Sequence, residues 1–148
     1  MPRTADNPRP LGSERSTHGL LVAVRPSFLP ERSNKDRGVF VFAYHITITN
    51  TSDTPARLMA RHWIIVDANA KKHVVRGEGV VGQQPRLLPG QSFEYASFCP
   101  LPTHWGTMEG AFRFQRDDGS HFNAQVARFY LAAPPDPAPP GPASPAPG

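Results

Sequence analysis

The chain has 148 residues, a formal net charge of +4, 18 prolines and one cysteine. One cysteine excludes an internal disulfide, and no run approaches the ~18 apolar residues of a membrane-spanning helix, which excludes a helical transporter. Residues 38–131 are near charge balance, with nine basic and seven acidic side chains, so the dense basic stripe of a dedicated nucleic-acid binder is missing and no specific nucleic-acid partner is expected.

Residues 1–18, "MPRTADNPRPLGSERSTH", are polar and proline-rich, and read as a flexible segment outside the domain. They hold no apolar stretch of the signal-peptide kind, so a cytoplasmic location is expected. Residues 20–25 open the domain as a strand, with Leu20, Val22 and Val24 on one side. A long loop over 28–38 follows. In "GVFVFAYHITITN" (38–50), Phe40, Phe42, Tyr44, Ile46 and Ile48 make one wholly apolar face, the mark of a long half-buried strand. "NTSDTP" (50–55) is a turn cluster. "ARLMARHWIIVDA" (56–68) reads as a second long strand with Trp63 as a core residue, and 67–70 as the next turn.

Residues 72–76 form a further strand, with an extension through the glycines to 82 left open. The "LLPG" turn leads into a strand over 91–98. Residues 107–115 alternate Met108, Gly110, Phe112 and Phe114. "RDDGS" is a hairpin turn in which Asp118 and Gly119 supply positive φ angles. Residues 121–131 close the set, with Phe122, Ala124, Val126 and Phe129 as inward candidates. Residues 132–148, "AAPPDPAPPGPASPAPG", have no large apolar side chain to bury and are expected to form a disordered, proline-rich tail. About seven strands without a helix define an all-β fold, read as an immunoglobulin or fibronectin type III-like antiparallel β-sandwich over 19–131. A small closed barrel is the alternative.

Gly77, Gly79 and Gly82 spell G-x-G-x-x-G, the spacing of a dinucleotide-binding turn. That turn needs a strand before it and a helix after it. Here "QQPRLLPG" follows, and Pro85 and Pro89 forbid a normal helix. Two readings remain. The glycines permit a bend or a close backbone approach. Alternatively, a bent backbone flanked by Arg76 and Arg86 binds pyrophosphate or a nucleotide through its amides and the two guanidiniums. The six histidines show no metal-binding spacing, although strand pairing is able to bring His45, His62 and Cys99 together; no metal or other cofactor is expected. Cys99 lies in no catalytic signature and reads as a buried or loop thiol. Neither a G-x-S-x-G serine nor a carboxylate pair is present, so the chain is not expected to be an enzyme.

The run "VRGEGVVGQQPRLLPGQSFEYASFCPL" (75–101), together with "RHWIIVDA", "GTMEGAFRF" and "DGSHFNAQVARFYL", resembles the ApaG domain family. The resemblance covers almost the whole folded region and implies a fibronectin type III-like sandwich. It also implies an association with cobalt resistance and magnesium efflux, a protein-interaction role, and the pyrophosphate or nucleotide proposal at the glycine motif. The expected function is a non-enzymatic binding module for a protein partner, with exposed Phe98 and Trp105 and the 28–38 loop as contact candidates. Self-association through a sheet edge is a further expectation.

Overall fold

The computed structural model describes residues 11–135. Nine strands form: β1 (Ser13–Thr17), β2 (Leu20–Phe28), β3 (Phe40–Asn50), β4 (Ala56–Asp67), β5 (Lys72–Glu78), β6 (Arg86–Leu87), β7 (Ser92–Leu101), β8 (Trp105–Arg116) and β9 (His121–Ala132). No α-helix occurs among the described residues; two 3-10 turns, Pro30–Arg32 and Lys35–Arg37, shape the loop between β2 and β3. One sheet runs β1-β2-β3-β7 and the other β5-β4-β8-β9, with β6 also pairing β4. Every pairing is antiparallel.

Period-two patterning puts the expected side chains inside. Phe42, Tyr44, Ile46 and Ile48 of β3 face Trp63, Met108, Phe112 and Phe114 of the second sheet, all buried. Trp63 meets Tyr44, Phe112 and Phe129 edge-on, with centroids 5.6, 5.7 and 5.9 Å away. Quadrupole attraction favours this geometry over face-to-face stacking.

Strict alternation breaks at two bulges. The β4–β8 register shifts between Leu58 and Ala60, so Leu58 and Trp63, an odd number of residues apart, both point inward. The β8–β9 register shifts between Met108 and Gly110, which lets Val126 and Phe129 both enter the core. Arg128 Nε reaches across that bulge to Glu109 at 2.7 Å.

Three expectations need correction. Residues 1–18 are not wholly outside the domain: β1 lies within them and pairs β2 from Ser13↔Val24 to Thr17↔Leu20. Its polar sequence conceals a strand because its side chains stay largely in solvent while its backbone satisfies an edge. At the other end, Ala132 belongs to β9, and the Ala133 amide donates to the His104 carbonyl at 2.8 Å, so the tail begins later than 132. The rest of that expected tail, from 136, lies outside the described residues, as do residues 1–10. In the β8–β9 hairpin only Gly119 has a positive φ, of 89°; Asp118 instead accepts from the Ser120 amide and hydroxyl.

Candidate functional site

β5 and β6 occupy the same edge of β4 and run in the same direction. Residues 60–66 of β4 pair with β5, and Ala56 and Arg57 with β6. Between them the chain leaves the sheet at Glu78 and rejoins it at Arg86. The G-x-G-x-x-G motif marks this excursion. The Gly79 amide donates to the Met59 carbonyl at 2.8 Å as the chain departs, and the Leu58 amide donates to Pro85 at 3.0 Å as it returns. Val80, fully buried, anchors the loop in the core. Val80 and Gln83 exchange both backbone hydrogen bonds, at 2.8 Å each, around a tight turn whose central residues Val81 and Gly82 have φ of 43° and 80°. Two successive left-handed residues make a primed turn, which explains Gly82.

Arg61, which sequence reasoning passed over, explains Gly77. Its guanidinium lies across Gly77: a Cβ there would sit 2.6 Å from Nη2. Nη1 donates to the carbonyls of Glu78 and Gly79, both at 3.0 Å. Only the β4–β5 register, which sets Arg61 opposite Gly77, reveals this contact.

Three of the excursion's amides, those of Gly79, Val80 and Gln83, are taken by backbone carbonyls. Arg76 pairs with His62 and Arg86 with Arg57 on β4, roughly 16 Å apart along the strand. Arg86 is engaged by Asp117 in a two-point contact, Nε–Oδ1 at 3.1 Å and Nη2–Oδ2 at 2.6 Å, which holds the Asp117 carboxyl below the usual carboxylate range. The structure therefore does not bring Arg76, Arg86 and the amides of residues 77–82 to one anion.

The two exposed aromatics are also separated. Phe98, 52% exposed, projects from the outer face of the first sheet opposite Ala43, where the Arg32 guanidinium stacks 4.8 Å from its centroid. Trp105 pairs with Ala132 and projects from the outer face of the second sheet. His45 lies on the outer face of the first sheet, 3.0 Å from Glu94; His62 lies on the outer face of the second; Cys99 is buried between them. Burial pushes the Cys99 thiol up to about 11, the opposite of an activated nucleophile. Among the described residues no group of three His, Cys, Asp or Glu is placed to hold a metal.

The two sides of the sandwich differ. On one, β1 and the residue run before it join β9: Tyr130 donates to the Leu11 carbonyl at 2.9 Å, and Ser13 Oγ to Ala127 at 2.6 Å. On the other, β5 and β7 are edge strands of their respective sheets, with no outer partner strand among the described residues.

Two antiparallel sheets in this arrangement define a fibronectin type III-like β-sandwich. The family model described as DUF525, ApaG domain, matches residues 30–116, and the chain belongs to the ApaG domain family. Protein ApaG of Anaeromyxobacter dehalogenans (strain 2CP-C) is 52% identical over 118 residues, covering 80% of this chain and 93% of that protein. Protein ApaG of Bdellovibrio bacteriovorus is 51% identical over 113 residues, covering 76% and 89%. The crystal structure of the putative ApaA protein from Bordetella pertussis superimposes with a TM-score of 0.76 at 49% identity, over 78% of this chain and 94% of that one.

Proposed function

We propose that this ApaG-domain chain is a non-enzymatic module that binds a partner protein by accepting one of its extended, acidic segments along β5. The observation that carries this is the free edge itself. β5 runs seven residues without proline, its outer side pairs with no described strand, and Val74 is 50% exposed. On its outer face Lys72, Val74 and Arg76 alternate. An added antiparallel strand with an apolar residue between two carboxylates, each two positions away, would match all three through cross-strand pairs. The link to cobalt resistance and magnesium efflux implied by the family resemblance would run through such a partner, in the cytoplasm. Among the described residues no helix is long and apolar enough to cross a membrane.

A peptide Ac-Thr-Glu-Thr-Val-Thr-Glu-Thr-NH2 tests the reading. Its addition is expected to slow amide exchange selectively in β5, and the double variant Lys72→Glu/Arg76→Glu to lose the effect while keeping its melting temperature. Protection that spreads elsewhere, or survives charge reversal, would refute strand addition at this edge.

A further inference from the structure

The two sheets part between the free edges. There, between β5 and β7, lies a cleft of about 540 Å³, within the range of small-molecule sites. Its floor is apolar, with Trp63, Ile65 and Met108, and Tyr44 beside Ser97. Its walls carry Arg61, Lys71 and His73, and among the described residues no aspartate or glutamate lines it.

Arg61 is fixed in place, since Nη1 holds the Glu78 and Gly79 carbonyls. Its Nη2 and Nε donate to no described residue. A donor-rich, carboxylate-free wall above an aromatic floor is complementary to an anion with an apolar body.

We propose that this cleft binds a small amphipathic carboxylate. The apolar body lies against Ile65 and Val75, above the buried Trp63 and Met108, and the carboxylate takes the remaining donors of Arg61, with Lys71 at the rim. A bare pyrophosphate fits less well, because it leaves the apolar floor covered by nothing that offsets the ion's dehydration. The site needs no partner protein and stands apart from strand addition on the outer face of β5.

The test uses 1-naphthylacetate and its neutral counterpart 1-naphthylacetamide, titrated into a Trp105→Phe background so that the single indole N–H resonance is that of Trp63. The carboxylate is expected to shift that resonance and those of residues on β5 and β7, and to bind about tenfold more tightly than the amide, one charge-assisted pairing's worth. Lys71→Glu, at an exposed position, should weaken the carboxylate severalfold without lowering the melting temperature. Arg61→Gln should weaken it further; because Arg61 also braces the glycine excursion, Lys71→Glu is the deciding variant. The Lys72→Glu/Arg76→Glu variant that abolishes peptide capture should retain naphthylacetate binding. Equal affinity for acid and amide, no shift by about 10 mM ligand, an unchanged affinity in Lys71→Glu, or pyrophosphate displacing naphthylacetate at lower concentration would each overturn the proposal.

Discussion

Replacing each motif glycine with alanine separates three physical causes that the shared spacing conceals. At Gly82, φ is +80° and no heavy atom lies within 4 Å of an added Cβ, so only the left-handed penalty applies, about 1 kcal/mol. At Gly79, φ is +63° and the Cβ runs into the Gln83 carbonyl oxygen, a backbone atom held by the Val80–Gln83 bridge. Strain and overpacking together should cost about 3 kcal/mol. At Gly77 the backbone is ordinary and the obstacle is the Arg61 guanidinium, the far end of a flexible side chain. It will swing away and release the Glu78 and Gly79 carbonyls, at about 1–2 kcal/mol. Urea unfolding followed by tryptophan fluorescence should therefore rank the losses Gly79→Ala, Gly77→Ala, Gly82→Ala. A double-mutant cycle makes the argument sharper: in an Arg61→Ala background, Gly77→Ala should become nearly neutral. A Gly77→Ala cost undiminished by loss of Arg61, or a Gly82→Ala cost equal to that of Gly79→Ala, would refute this account of the motif.

Trp63→Ala should cost about 3–5 kcal/mol in the same assay, since the indole is 3% exposed and bounded by three rings, whereas Trp105→Ala on the outer face should cost less than about 1 kcal/mol. The native Cys99 thiol should ionise with a midpoint near 11, read by thiolate absorbance, against about 8.5 in urea. Because the folded value is raised, the unfolded chain sheds the proton first, and this group's contribution to stability is intact below the unfolded value and declines as pH rises toward 11. Starting the chain at His18 should lower the melting temperature by about 5 °C or more, because β1, its bond to Ala127 and the bond from Tyr130 to Leu11 are lost.

Much of the fold is legible in the sequence because burial and period-two alternation coincide in β3 and β7 and on either side of the bulge in β9. Trp63 is identifiable as a core residue from its place in the middle of a long strand of a sandwich, not from alternation, which the bulge at Leu58–Ala60 breaks. What is hidden depends on register. Nothing local in "ARLMARHW" shows that Arg61 stacks on a glycine sixteen residues later; that contact exists only once β4 and β5 pair. β1 escapes notice because it is defined by backbone bonds rather than by apolar side chains. β6, at two residues, is too short to show any period. The glycine spacing misleads in another way: three unrelated requirements, room for a guanidinium, a left-handed exit and a primed turn, happen to fall at the intervals of a nucleotide-binding turn.

The uneven treatment of the four edges argues for where a partner binds. One pair is closed by residues 11–17 crossing to β9, and the lower half of the β4 edge is occupied by β6 and the braced excursion. β5 is left open, which in a flat apolar strand would invite self-association. Its charges oppose that outcome. If two copies paired antiparallel about Val74, Lys72 of each would face Arg76 of the other, placing like charges directly opposite at both ends. The same two cations favour a strand that brings carboxylates to those positions. Under the proposed strand addition, the edge would thus be guarded against its own copy and receptive to an acidic segment. Lys72→Glu alone should reverse part of this guard, since Glu would then face Arg76 across the pair. Sedimentation of that variant is expected to show a concentration-dependent dimer stronger than any formed by the unaltered chain. A dimer of equal strength in both would mean that the charges on β5 do not control what docks there.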